Sequence, residues 1–269
     1  MQVVGKDILD LSGRAALVTG GGQGAGRGIA LALAQHGAAV AVNDFVLERA
    51  EAVAEEIRAF GGKATAVQAD VCDYASVKAA FDAATAALGP ITLLVNNAGM
   101  AGPTDKMGRS PEFWEADPAE WPRFFNTNLY GVMNCCHVAV PAMIAAGQGG
   151  RIVTIVSDSG RLGEQRLAAY AAAKAGAAGF VRSLAKEAGR YGITCNAVSL
   201  STLEPAMPPE QLEAFMANEG VKKQLSQYTI RRFGKPDDVA AMCLFLCSEG
   251  ASWITGQTYP VNGGYSFAV

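Results

Sequence analysis

Tyr170 and Lys174 stand four residues apart in the Ala-rich run Ala168-Ala169-Tyr170-Ala171-Ala172-Ala173-Lys174, a spacing that puts both side chains on one face of a helix. A free phenol is a poor base at neutral pH, and bringing its pKa from near 10 to about 7 takes roughly 4 kcal/mol of differential stabilisation. A nearby ammonium supplies stabilisation of the required sign. Thirteen residues before Tyr170, Ser157 ends the apolar run Ile152 to Val156, which places a hydroxyl at the carboxyl edge of a sheet. A phenol, an amine and a hydroxyl around one oxygen atom point to proton transfer at that oxygen.

A second group of residues has the chemistry to bind an anion. The run Ala15 to Val18 leads into Thr19-Gly20-Gly21-Gly22-Gln23-Gly24-Ala25-Gly26 and then into helix-forming Ile29 to Gln35. Strand, glycine turn and helix start set backbone N–H groups and a positive helix end against a pyrophosphate, with no β-carbons blocking its approach. Gly20, Gln23, Gly24, Ala25 and Gly26 are the turn residues expected to hold a dinucleotide. Asp44, 24 residues beyond Gly20, ends the next strand, where a carboxylate can accept both adenosine ribose hydroxyls. A 2′-phosphate would meet like charge there, and neither Gln23 nor Phe45 offsets it, so NAD is expected in preference to NADP. Arg27, in the first helical turn, is either a cation within reach of a phosphate or a solvated surface residue. An oxidised nicotinamide would add its positive charge to that of Lys174 beside Tyr170.

The elements that must position these groups are read from periodicity. Apolar runs predict strands at Ala15 to Val18, Ala39 to Asn43, Ala64 to Gln68, Leu93 to Asn96, Ile152 to Val156, Thr194 to Ser199 and Gln257 to Val261. Between them, Gly26 to Gln35, Leu47 to Ala59, Ser76 to Leu88, Trp121 to Ile144, Ala168 to Ala188 and Pro236 to Leu246 read as helices. This alternation predicts one α/β domain over residues 1–269: a Rossmann-like, doubly wound parallel sheet of about seven strands with helices on both faces. Two stretches interrupt it, Met100 to Asp117 and Leu203 to Gln227. Both follow strands, so both are candidate walls of a substrate pocket.

Composition closes off other classes. The 269 residues are half hydrophobic and 17% charged, with a formal net charge of −3, which argues against disorder and against a nucleic-acid-binding polycation. Two histidines, His36 and His137, leave little material for a metal site or a hydrolase triad, and both read as ordinary helix residues. The six cysteines contain no C-x-x-C pair and read as reduced, buried and inert. The first ten residues lack signal-peptide blocks, and no run of about 20 apolar residues stands out, so a soluble, cytoplasmic protein with no membrane partner is expected.

Taken in order, these motifs resemble the short-chain dehydrogenase/reductase family. The resemblance spans nearly the whole chain: Thr19-Gly20 with Gly24 and Gly26, Asp70-Val71, Asn96-Asn97-Ala98-Gly99, Asn128-Leu129, Ser157, Tyr170 with Lys174, Arg232-Phe233-Gly234-Lys235-Pro236 and Val261-Asn262-Gly263-Gly264. It implies that Tyr170 is the general acid/base and that Ser157 bonds the reacting oxygen. Lys174 would tune Tyr170 and hold the nicotinamide ribose, and Asn128 would hold a proton-relay water. It further implies that Asp70 and Val71 border the adenine and that Asn97, Ala98 and Gly99 line the cofactor path. A homo-oligomer, with a tetramer favoured, is expected on the same basis, although the small residues of Ala171 to Gly179 suit packing against the chain's own sheet equally well.

The chain departs from the family after the sixth strand. Where a Pro-Gly pair and a later Thr are usual, Leu200, Ser201 and Pro205 stand. Ser201 does not share glycine's access to positive φ, and Pro205 lacks a hydroxyl and a backbone donor, so Leu203 is left to approach the nicotinamide through its backbone. Met107, Phe113, Trp114, Met207, Leu212, Phe215 and Met216 either enclose a fairly apolar cyclic or aromatic alcohol or ketone, or pack between subunits. The expected activity is NAD-dependent interconversion of a secondary alcohol and a ketone. The alternatives are an NADP-dependent 3-oxoacyl thioester reductase and a dinucleotide-sensing protein without turnover.

Overall fold

The apolar runs become parallel strands β1 (Ala15–Val18), β2 (Ala39–Asp44), β3 (Ala64–Gln68), β4 (Ile91–Asn96), β5 (Gly150–Ser157), β6 (Ile193–Leu200) and β7 (Thr258–Val261) in the computed structural model, which describes residues 7–100 and 111–267. They pair in the order β3-β2-β1-β4-β5-β6-β7, every pair parallel. The order reverses between β1 and β4, and a crevice opens at such a point beyond the carboxyl ends of the strands. Asp44 and Ser157 are the last residues of β2 and β5, Gly20 lies two residues past the end of β1, and Asn97 follows directly on the end of β4. The sheet thus delivers all four to one edge.

A parallel sheet needs both faces dry, and β1 and β4 are buried at every residue. On one face, α3 (Tyr74–Leu88), α5 (Gly131–Ala146) and α7 (Ala168–Ala188) press Phe81, Met143 and Val181 against Leu17, Leu94 and Ile152. On the other, α1 (Gly24–Gln35), α2 (Leu47–Ala59) and α10 (Pro236–Cys247) press Leu33, Ile57 and Leu246 against Val18, Val95 and Val153. Each such side chain contributes about 1.5–3 kcal/mol on burial. In α7 the small residues Ala177 and Ala178 are part of this packing, so that portion of the Ala/Gly run serves the chain's own sheet.

The helix expected over Trp121 to Ile144 is interrupted. It runs as α4 (Trp121–Phe125), a π-helical turn over Asn126–Tyr130, and then α5. The widened turn frees the Phe124 carbonyl, and the Asn128 side chain takes it at 3.0 Å, a feature often found where function requires a side chain to be re-aimed. Taken together, the helical segments over Pro118–Ala146 are long and apolar enough, by length and composition alone, to cross a bilayer, contrary to the expectation that no such run exists. In the fold, α5 packs on α3 and β4.

Of the expected pocket walls, residues 101–110, including Met107, lie outside the described residues. The Leu203 to Gln227 stretch contains two short helices, α8 (Pro209–Ala217) and α9 (Glu219–Leu225). Phe215 and Met216 pack with Val221, Tyr228 and Phe233 in a satellite core, so they support this lobe from within. Five cysteines are buried, and Cys72 is exposed, which corrects the expectation for that thiol.

Candidate active site

Thr19 joins the turn after β1 to the loop after β4: its Oγ1 accepts the N–H groups of Asn97 and Ala98, each at 3.0 Å. Asn97 returns the contact, donating Nδ2 to the carbonyls of Thr19 and Gly20 at 3.0 Å. Glycine is required on steric grounds at Gly26, where a β-carbon would lie 2.1 Å from the Gly20 carbonyl oxygen. At Gly24, φ is +53° and a β-carbon would meet nothing within 4 Å, so the turn is open on the side where α1 begins. Gly20, Gln23, Gly24, Ala25, Gly26, Asp44, Phe45, Asp70, Val71, Asn97, Ala98 and Gly99 line one cleft of about 550 Å³. Sequence reasoning missed Asn43, Ala69, Cys72 and Thr127, which line it too. A narrow backbone cradle at a helix start, leading to a buried carboxylate, fits a dinucleotide diphosphate and its ribose.

That carboxylate, Asp44, is 6% exposed. Gly22 N–H donates to its Oδ2 at 3.1 Å and Val46 N–H to its Oδ1 at 3.0 Å. Arg27 is held by Glu56 through a two-pronged ion pair, with Nε to Oε1 at 3.0 Å. Another cation was not foreseen. A β-carbon on Gly22 would fall 2.5 Å from Cβ of Arg49 and 2.8 Å from Oδ2 of Asp44, so the start of the Arg49 side chain on α2 and the Asp44 carboxylate both flank Gly22.

Across the cleft, Tyr170 stands near Ser157, whose hydroxyl bears on its ionisation. Lys174 is buried one helical turn on, its Nζ 5.9 Å from the centre of the Tyr170 ring and donating to the Ile155 carbonyl at 2.9 Å. A β-carbon on Gly99 would meet Asn128 Oδ1 at 2.9 Å and Lys174 Nζ at 3.1 Å, which places the Asn128 amide and the Lys174 amine at the same point of the cofactor loop. Asn128 is fully buried, donates Nδ2 to the Met100 carbonyl at 3.0 Å and accepts the Met100 N–H at 3.2 Å. Burial pushes Lys174 down to about 8, which leaves it protonated at neutral pH. Burial also raises Tyr170 above the usual phenol value, opposed by the Ser157 hydroxyl and reinforced by the nearby Glu164 charge. The downward pull expected from Lys174 does not enter this balance, in which desolvation of the phenolate leads.

The altered loop after β6 accommodates its substitutions. Arg166 is the one non-glycine with positive φ among the described residues, so Ser201 never adopts the conformation it was expected to resist. Its hydroxyl instead hydrogen-bonds the Tyr228 hydroxyl, which also accepts the Thr202 N–H at 3.2 Å. Leu203 forms a parallel bridge with Gly234 through its neighbours: Glu204 N–H donates to the Gly234 carbonyl, and Gly234 N–H to the Thr202 carbonyl. In that pattern the Leu203 N–H and carbonyl point away from Gly234.

A cavity of about 110 Å³ flanks Tyr170, walled by Phe113, Trp121, Phe124 and Leu167 with Arg123 and Arg166 at its polar side. Phe113 and Trp121 stack at 5.4 Å, whereas Trp114 is 79% exposed and lines nothing there. Sequence reasoning also missed Asp158, Ser159 and Glu164, which surround Ser157. Asp158, 2% exposed, accepts from Ser199 Oγ at 2.8 Å, Arg161 Nη1 at 3.1 Å and Asn262 Nδ2 at 2.6 Å, binding the ends of β5, β6 and β7 together.

The chain is similar to known proteins in sequence and in fold. The sequence model of a family described as enoyl-(acyl carrier protein) reductase matches residues 20–266. The chain is 39% identical to the 3-oxoacyl-(acyl-carrier-protein) reductase FabG of Staphylococcus aureus (strain Mu50 / ATCC 700699) over 252 residues, covering 93% of this chain and 97% of that protein. It is 38% identical to the cyclohexanol dehydrogenase of Acinetobacter sp. (strain SE19), covering 94% and 95%. A solved 7α-hydroxysteroid dehydrogenase complexed with NADH and 7-oxo glycochenodeoxycholic acid superposes with a TM-score of 0.85 at 33% identity, covering 96% of each chain.

Proposed function

The chain belongs to the short-chain dehydrogenase/reductase family, and on that premise we propose that it interconverts a secondary alcohol and a ketone of apolar, cyclic or aromatic character, using NAD(H). One observation carries the reading: Tyr170 stands one helical turn from a buried Lys174, its ring centre 5.9 Å from the amine, and that amine reaches the cofactor loop at Gly99. The related cyclohexanol and hydroxysteroid dehydrogenases support a cyclic alcohol, and the aromatic walls of the cavity beside Tyr170 suit one.

Gly20 to Gly26 would hold the diphosphate, Asp44 the adenosine ribose, and Lys174 the nicotinamide ribose. When bound, the nicotinamide supplies the hydride chemistry. The chain's own residues handle the oxygen and its proton. In oxidation the Tyr170 phenolate takes the alcohol proton, and in reduction the Tyr170 hydroxyl returns it to the ketone oxygen. Ser157 hydrogen-bonds that oxygen, and the Lys174 ammonium, made more effective by burial, favours the phenolate as it forms. Asn128, held at both amide atoms, fixes the Met100 backbone next to the site and keeps the π turn in place. Tyr170→Phe should lower turnover at least about 100-fold while leaving NADH binding, followed by fluorescence, unchanged. Near-normal turnover in that variant would remove Tyr170 from this role.

A second reading, an NADP-dependent 3-oxoacyl thioester reductase, is supported by the FabG relative and by Arg49, whose side chain starts next to Gly22. Asp44 favours the first, because a 2′-phosphate would approach a buried carboxylate. Titration with NADH and NADPH separates the two.

A further inference from the structure

Glu164 lies in the short connection between α6 (Ser159–Leu162) and α7, and its side chain returns to the reacting groups. Glu164 Oε2 is 2.6 Å from Ser159 Oγ, and Ser159 Oγ is 3.1 Å from Ser157 Oγ. The direction of this chain is fixed by counting protons. An ionised carboxylate only accepts, so the Ser159 proton goes to Glu164. Ser159 has no second proton, so Ser157 must donate to Ser159. Ser157 then offers lone pairs alone, one of which takes the Ser159 backbone N–H at 3.2 Å. Ser157 therefore has no proton for Tyr170, and the lowering that its hydroxyl can give that phenol waits on a turn away from Ser159.

The position of Glu164 is itself held by the backbone. Leu167 N–H donates to the Glu164 carbonyl at 3.2 Å, closing a turn in which Arg166 takes φ +66°, a conformation that costs a non-glycine residue about 1–2 kcal/mol. Arg166 in that turn is anchored to Glu112 at 3.1 Å.

We propose that Glu164 is a positioning residue: through Ser159 it commits the Ser157 hydroxyl to one direction and keeps Tyr170 in its proton-donating form until substrate and cofactor displace that arrangement. The inference rests on the reading of Tyr170 as acid/base. Loss of the Tyr170 proton leaves a phenolate facing lone pairs, with the Glu164 charge nearby. The other charged groups around Tyr170 are Lys174 on α7, and Arg166, Asp117, Glu120 and Arg123 on the cavity wall. Arg123 pairs with Glu120 at 3.1 Å and Arg166 with Glu112, whereas Glu164 forms no salt bridge among the described residues. Tyr265, raised by burial and by Glu164, is the other phenol within its field. For a ketone, Ser157 has to turn from Ser159 to the carbonyl oxygen. For an alcohol, Ser157 is already set to accept.

Glu164→Gln removes the charge and supplies an amide N–H that can donate to Ser159, which reverses the chain and frees the Ser157 proton for Tyr170. Tyrosinate absorbance is titrated against pH in wild type and Glu164→Gln, each compared with its Tyr170→Phe counterpart to isolate Tyr170. The Tyr170 midpoint should fall by about one pH unit, a tenfold change in ionisation, and Glu164→Asp should restore most of it. The acid limb of kcat for alcohol oxidation should move to lower pH by the same amount, with KM little changed. An unchanged midpoint in Glu164→Gln overturns the inference even if the enzyme is active. Conversely, an inactive wild type refutes the alcohol reading, and the titration still decides the role of Glu164.

Discussion

The cofactor side of the cleft, from Gly20 to Gly99, and the reacting side, from Ser157 to Asn262, are built from different materials. On the first, the shape comes from backbone and from absent side chains: Gly26 leaves room for the Gly20 carbonyl, and Thr19 and Asn97 bond main-chain groups. On the second, the shape comes from buried polar side chains. Lys174 points at the Ile155 carbonyl, and Asp158, just past β5, collects donors from the ends of β6 and β7 and from Arg161. A site made of backbone is pre-organised at little electrostatic cost. A site made of buried charge carries a desolvation penalty, and that penalty makes its groups reactive.

Lys174→Met tests this contrast most severely. Turnover should fall by roughly 10²–10⁴, yet the folded chain should gain stability. The shift of Lys174 from 10.5 to about 8 corresponds to a penalty of roughly 3 kcal/mol, from which loss of the hydrogen bond to Ile155 subtracts about 1–2 kcal/mol. The sign depends on pH. Below pH 8 the amine is protonated in folded and unfolded chains, and the fold bears the whole penalty. Between pH 8 and 10.5 it is neutral only when folded, so wild-type stability recovers as pH rises through that window. Denaturant melts should show the variant ahead at pH 7 and the gap closing above pH 8. A variant less stable at pH 7 would mean that the amine is held by more than it costs.

Gly26→Ala probes the other side. A β-carbon at 2.1 Å from backbone oxygen and 2.5 Å from Asn97 Nδ2 has no flexible neighbour to displace, so the turn and the Asn97 clamp must move by about 1 Å, enough to lower NAD affinity about 100-fold. Gly24→Ala is the control. There the β-carbon meets nothing within 4 Å, and only the positive φ costs about 1–2 kcal/mol in a thermal melt. Equal damage from both substitutions would show that conformation, not space, governs this turn.

The same contrast explains what the sequence reveals. Strand and helix order, the glycine turn and Asp44 are legible, because repeating periodicity and the lack of a β-carbon are local properties. Tyr170, Lys174 and Ser157 are legible because helical spacing and a strand end place them. Asp158 is not, since its partners Ser199 and Asn262 are distant in sequence and nothing about an Asp after a strand says that it will be buried. Glu164 is hidden for a related reason, as its path to Ser157 depends on the Arg166 turn. The π turn at Asn128 is invisible to periodicity, because one extra residue per turn looks like ordinary helix. Phe215 and Met216 show the converse: apolar residues in a loop suggest a pocket, but Tyr228 and Phe233 give them a core of their own.

The smallest effect belongs to the adenosine end. Arg27 is held by Glu56 with both side chains partly exposed, at 47% and 41%, and an exposed pair of this kind contributes about 0–1 kcal/mol. Glu56→Gln therefore releases Arg27 at little cost to the fold, and any attraction the freed cation offers a 2′-phosphate is bounded by the same screened energy. NADPH affinity should rise at most about fivefold, with NADH affinity unchanged, because Asp44 stays buried between the Gly22 and Val46 N–H groups. A rise well beyond tenfold would show that the Arg27–Glu56 pair, and not the Asp44 carboxylate, sets the preference. In that case an exposed ion pair, and not a carboxylate fixed by backbone N–H groups, would govern the adenosine end, and the division between the two sides would not hold there.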